Sequence, residues 1–202
     1  QFNAQTVFSD GYGQNANLSG TNANLSMIDF SSVGGGYGQG VDFRGTNLSS
    51  VNLSMANLTG AQFDSSTVFS DGTVGANLSG TNAMISGLSG NIDFRGVNLS
   101  GVSFSGSDLN QAQFDSTTIF SDGTNGVNLS MTYAIIPTLT GPVDLRGVNL
   151  SGVNLMGSDL SAAQFNAQTV FSDGYGQNAN LSGTNANLSM IDFSSVGGGY
   201  GQ

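Results

Sequence analysis

Four SDG triplets carry an aspartate ahead of a glycine, at Asp10, Asp71, Asp122 and Asp173. Three D-F/L-R-G stretches set an aspartate two places before an arginine, at Asp42/Arg44, Asp93/Arg95 and Asp144/Arg146. With no His and no Cys in the chain, carboxylates, hydroxyls and these three guanidinium groups are the reactive material. An SDG aspartate has two uses. It can bond its own backbone in a turn whose glycine takes positive φ, or it can join other oxygens around calcium. Calcium would need several ligands converging, and GGGYGQG at 34–40 lacks the aspartate of the calcium-binding glycine-rich repeat. Each D-x-R pair flanks an inward residue, so both side chains should point outward as a surface ion pair worth under about 1 kcal/mol. Acid–base catalysis wants two carboxylates in unlike surroundings, whereas these recur as identical copies. The expectation is a chain that is not an enzyme, with no catalytic, cofactor-binding or metal site and no small-molecule substrate.

Whatever positions such recurring groups must itself recur. AQF returns at Ala61, Ala112 and Ala163, each time followed by a version of TVFSDG, at intervals of 51 residues. The opening QFNAQTVFSDG lies 61 residues before the next copy, and residues 164–202 reproduce 1–39 letter for letter. Sub-repeats 1–61, 62–112 and 113–163 therefore make one 163-residue super-repeat, and 164–202 reads as the start of another. The expectation is one continuous solenoid over 1–202, a window on an array of such units.

Inside each unit the period is five, which fits neither the 3.6 of a helix nor the 2 of a long strand. A large apolar residue holds every fifth position at Phe43, Leu48, Leu53, Leu58, Phe63 and Val68. The series repeats at Phe94, Leu99, Phe104, Leu109, Phe114 and Ile119, and again at Leu145, Leu150, Leu155, Leu160, Phe165 and Val170. Two places before stands a small or β-branched residue such as Ala56, Val97 or Ala112. A coil with flat sides of about five residues satisfies this pattern. Each side turns one large and one small residue inward, and a corner resets the phase. Stacked coils then bond backbone to backbone, and each buried Leu or Phe contributes roughly 1.5–3 kcal/mol.

These blocks, VDFRG, TNLSS, VNLSM, ANLTG and their copies, resemble the pentapeptide repeat family over most of 41–70, 92–121 and 143–172. The resemblance implies an all-β fold, a right-handed four-sided parallel β-helix (β-solenoid) of about twenty residues per coil. Short loop insertions are expected where the phase slips, at Tyr12–Asn15, Thr21–Gly40, Thr81–Asn91 and Thr132–Pro142. Gly34–Gly40 reads as an outward loop. At ten blocks plus one residue, a 51-residue unit spans about two and a half coils of that geometry, which puts equivalent residues of neighbouring units on opposite sides. The super-repeat would rise about 40 Å at one strand spacing per coil.

Composition narrows the function. Only 8% of residues are charged, all 13 acids are Asp, Lys and Glu are absent, Gly contributes 31 residues, and the net charge is −10. Recurrent Leu, Val, Phe and Ile within a 38% apolar content argue against disorder. No apolar run approaches the roughly 18 residues of a membrane span, and an acidic rod repels nucleic acid. N-L-S/T triplets, as at Asn17, Asn47 and Asn98, match a glycosylation pattern that the repeat generates by itself.

Phe8, Phe69, Phe120 and Phe171 each follow the inward Val or Ile of TVF/TIF, so strict alternation pushes them outward; a bulged coil would instead lay them over a corner. With Tyr12, Tyr37, Tyr175 and Tyr200 they are the candidates for self-association, since repeated apolar patches on a rod give multivalent contacts. The function expected is structural: a repeat segment of a long extracellular or cell-surface fibre that packs with copies of itself, with no nucleic acid partner and no membrane insertion. Two alternatives stand beside it. Some members of the resembled family imitate an acidic duplex and inhibit topoisomerases; a stalk of a giant adhesin is the other.

Overall fold

The structure, a computed structural model, describes residues 41–58, 61–81, 83–172, 178–186 and 188. Parallel bridges link residues one coil apart, and their spacing is that of a four-sided coil: Asp42 to Gln62, Asn47 to Val68, Asn52 to Asn77. Asn47, Asn52 and Asn57 lie between Asp42 and Gln62 in sequence, so one circuit has four sides, here named A to D in chain order from Asp42. Side C stacks Asn52, Asn77, Asn98 and Ile119; side D stacks Met84, Ser103, Asn128, Asn149 and Val170. Each bridge is built from paired backbone bonds, such as Phe43 N to Gln62 O (2.8 Å) and Gln62 N to Val41 O (2.9 Å).

Among the described residues no side is long enough to form more than an isolated bridge. The reason is the corner. An outward Asn or Asp accepts the amide two residues on, as Asn47 Oδ1 does from Ser49 N (3.0 Å) and Asn98 Oδ1 from Ser100 N (3.1 Å). The next turn residue then often takes positive φ, and the chain leaves the side after about three extended residues. Gly101 and Gly106 occupy that left-handed position at φ 77° and 89°, whereas one unit earlier Ser50 and Met55 hold it at 63° and 60°.

The core runs up the axis. Phe43, Leu48, Leu53, Leu58, Phe63, Phe94, Leu99, Phe104, Leu109, Phe114, Leu145, Leu150, Leu155 and Leu160 are buried, and Phe165 is partly buried against them. Val68, Ile119 and Val170 are not in it. They are 39%, 45% and 38% exposed, while Phe69, Phe120 and Phe171 are 1%, 1% and 7% exposed, so alternation at TVF/TIF is the reverse of the expected one. One additional residue in the preceding corner causes the reversal. After Phe63 the chain spends Asp64, Ser65 and Ser66 on the turn, and Thr67, not Ser66, takes the small inward place. Its buried hydroxyl donates to Phe43 O (3.0 Å) and accepts from Asp64 N (3.2 Å), so burial leaves no polar group unpaired. Thr118 and Thr169 repeat the arrangement. The inward phenylalanines extend an unbroken ring column, Phe43–Phe63–Phe69–Phe94–Phe114–Phe120, with centroid steps of 5.2–5.8 Å.

Equivalent residues of neighbouring units stand on adjacent sides rather than opposite ones. Asn47 is on side B, whereas Asn98, 51 residues later, bridges Asn77 on side C, and Asn149 bridges Asn128 on side D. A unit is thus nine sides, two and a quarter coils. Its 51 residues exceed nine sides of five by six: one at the 64–66 corner, four in the loop after Phe69, and one within 79–93.

Candidate functional site

The D-x-R corner and the SDG loop form one recurring device. In each of the three corners the aspartate Oδ1 accepts the arginine amide and Nε at 3.0 Å, and Oδ2 accepts Nη2 at 2.6–2.7 Å. Both partners are partly exposed, which keeps the pair in the range of a surface ion pair. Partial burial works to raise the Asp42 and Asp93 pKa, and the hydrogen bonds from Arg44 and Arg95 outweigh it, so both lie below the ordinary carboxylate range. The Arg146 side-chain bond is the first cause of the same lowering at Asp144.

The loop that follows the inward Phe folds back onto this corner one coil on. Asp71 Oδ1 accepts from Thr73 N (2.9 Å), Thr73 Oγ1 (2.9 Å) and Val74 N (2.7 Å). Asp122 does the same with Thr124 and Asn125. The SDG aspartate is therefore a turn anchor, and those backbone bonds hold both carboxyls well below their usual pKa. Among the described residues no three acidic side chains converge as metal ligands; Asp10 and Asp173 lie outside those residues. Ser70 Oγ donates to the Arg95 carbonyl, and Ser121 Oγ to the Arg146 carbonyl (2.6 Å). Glycine is required where the loop touches: a Cβ on Gly75 would run into the Val97 backbone, and one on Gly126 into Gly147–Val148. Each loop thus clasps a later coil at the corner that carries its arginine.

A groove opens beside each of the first two arginines. The larger, about 500 Å³, is lined by Arg95, Gln113, Phe114, Asp115, Ile135, Pro137 and Thr138. Its counterpart 51 residues earlier, about 200 Å³, has Arg44, Gln62, Phe63, Met84 and Ser86. Asp42, Asp64, Asp71, Asp93, Asp122, Asp144 and Asp159 are all held below the ordinary range, so none is poised as a proton donor near neutral pH. The arrangement supplies contacts.

Phe69, Phe120 and Phe171, proposed from sequence as outward contacts, are core. Phe8, Tyr12, Tyr37, Tyr175 and Tyr200 lie outside the described residues. Among the described residues the exposed large apolar side chains are Met55, Val68, Val74, Met84, Ile119, Met131, Tyr133, Ile135, Met156 and Val170. A signal for some of them exists in sequence, because Met55, Met131 and Met156 occupy corner positions of the five-residue block, which face solvent.

Pentapeptide repeats, in eight copies, match residues 39–65, 91–119 and 143–167. No curated protein matches the chain. Among solved structures it is similar to HetL, a pentapeptide repeat protein involved in heterocyst differentiation regulation in the cyanobacterium Nostoc sp. strain PCC 7120. That similarity is 25% identity over 86% of this chain and 71% of HetL, with a TM-score of 0.31. It is also similar to QnrB1, a plasmid-mediated fluoroquinolone resistance protein, at 18% identity over 84% of this chain and 77% of that one, with a TM-score of 0.30. No residue here takes a role from either.

Proposed function

Because the chain belongs to the pentapeptide repeat family, we propose that it is a non-catalytic structural element: a continuous right-handed four-sided β-helix, repeated into a long rod outside the cell or at its surface. Copies of the rod pack side by side. The observation that carries this reading is the clasp. Ser70 on the Arg95 carbonyl and Ser121 on the Arg146 carbonyl are the same contact made inside successive units a quarter turn apart, and the backbone bonds Phe94 N to Gln113 O and Leu145 N to Gln164 O stack each unit on the next in the same register, so stacking can propagate unit by unit. The return of 1–39 as 164–202 supplies the same grammar at the next level. Localisation follows from the role and is part of the proposal.

Electron microscopy and fibre diffraction of the purified chain test it. The expected result is rods with a strand-spacing reflection near 4.8 Å along the axis and an axial rise of about 11 Å per 51-residue unit; compact, monodisperse particles without side-by-side association would refute it. The net charge of −10 favours a second reading, an acidic mimic of duplex DNA that inhibits a topoisomerase. Against it, Asp42, Asp93 and Asp144 are neutralised by their own arginines, and Asp71 and Asp122 are turned to their own amides. A supercoiling assay decides: inhibition at stoichiometric protein would establish the mimic.

A further inference from the structure

Side C carries a row of side-chain amides whose Nδ2 donors no role above uses. Asn52, Asn77 and Asn98 follow one another up side C in three bridged coils. Each Oδ1 is committed, accepting Ser54 N (3.0 Å), Ser79 N (3.1 Å) and Ser100 N (3.1 Å); Ser79 and Ser100 also donate their hydroxyls to it at 2.8 and 2.7 Å. Those bonds fix the amide plane. They leave each Nδ2, with two donors, unpartnered among the described residues. The next outward residue in the row is Ile119, 45% exposed where the repeat would place an Asn. The result is a straight, uncharged track of fixed donors about 4.8 Å apart, closed by an aliphatic group. On side D the row is interrupted: Asn128 Nδ2 donates to Ser103 Oγ (3.3 Å), and Asn149 alone stands before the exposed Val170.

We propose that this track binds an extended neutral polysaccharide lying along the column. Three features select that chemistry. Sugar hydroxyls and ring oxygens accept from amides, the C–H face of a sugar ring suits an exposed Ile, and successive rings of an extended glycan follow one another at close to one coil spacing. Amides already held by their own turn bonds lose little freedom on binding, and contacts in line add by multivalency. Anionic polymers are repelled by the acidic chain. The inference goes beyond the structural role and holds whether or not rods associate.

Co-sedimentation of the full chain with amorphous cellulose and with chitin tests it, using the variant N52D/N77D/N98D at high salt, where the added charges are screened. Asp keeps the Oδ1-to-amide bond and removes the donors; Asp42, Asp93 and Asp144 already fill this outward position with that bond at 3.0 Å. The parent chain should be depleted by at least one of the polymers, and the triple variant should bind about tenfold or more weakly with an unchanged far-UV spectrum. Should the triple variant misfold, Asn77→Asp alone must still weaken binding, by roughly threefold. Failure of the parent to bind either polymer, or equal retention of a folded variant, would each overturn the proposal.

Discussion

Replacing Phe120 by Ala and, separately, Ile119 by Ala separates two accounts of the same dipeptide. A five-residue count continued from Phe114 buries Ile119 and exposes Phe120; in the structure Phe120 is 1% exposed and its ring lies 5.8 Å from that of Phe114. Truncating a fully buried Phe costs about 3–5 kcal/mol, because the lost transfer energy is joined by the cavity left under Phe114. Ile119 has solvent on its outer face, and truncation there costs about 0.5 kcal/mol, up to 1 if its contact with the neighbouring row counts. For a chain of this size 1 kcal/mol moves the melting temperature by about 2–4 °C. Phe120→Ala should therefore lower Tm by roughly 10 °C and Ile119→Ala by about 2 °C.

Circular dichroism melts provide the first measurement. Because stacked repeats can open locally, hydrogen exchange across 94–128 provides the second, with Phe120→Ala accelerating exchange there. Equal effects, or a larger one from Ile119→Ala, would refute the six-residue step from Phe114 to Phe120 and with it the buried Thr118.

Ser50→Gly should stabilise by about 1 kcal/mol, since a non-glycine residue at φ 63° carries left-handed strain that Gly101, one unit on, avoids; a higher Tm checks it. Gly126→Ala should destabilise by about 2 kcal/mol or more, because the new Cβ meets backbone rather than a movable side chain; denaturant melts against the parent measure it. The depressed carboxyls of Asp71 and Asp122 contribute stability that is fully present above their unfolded value near 3.9 and is lost as pH falls through their lower folded values. Tm should therefore drop below about pH 4, and Asp122→Asn should shallow that slope when melts are repeated from pH 6 to 2.

The sides of the coil were legible because a large apolar residue every fifth place has one geometric meaning, and Phe43 to Phe63 or Phe94 to Phe114 needed only counting. The step to Phe69 and Phe120 was harder. It depends on Thr67 and Thr118 going inside, and a threonine can do so only because a carbonyl one coil away accepts its hydroxyl, a partner that no local sequence displays. T-V-F does repeat the small-x-large order of A-Q-F, and that echo was the available signal. SDG could be read as a turn from Asp-Gly alone, but its seat on Arg95 or Arg146 could not, since loop and corner lie about 25 residues apart. The grooves were hidden for the same reason: Gln113 and Pro137 line one groove from different coils.

The quarter turn decides how copies of the rod can meet. Had successive units differed by half a turn, two opposite sides would have shared every repeated feature, and rods would associate into flat ribbons. With a quarter turn, the D-x-R corners stand at three different edges in three successive units, and a single neighbour along one side meets only a minority of them. Contacts of modest strength gain from number, so the arrangement that engages every unit surrounds each rod on all sides. Short-range bonds must supply those contacts, because three arginines offset only three of the 13 aspartates, and the like-charge repulsion left between rods is screened beyond a Debye length of about 8–10 Å. Side association should accordingly survive high salt, and cross-sections of the assembled material should show bundles of square outline. Ribbons one rod thick, or bundles that dissolve when salt is raised, would contradict the quarter-turn geometry as the basis of packing.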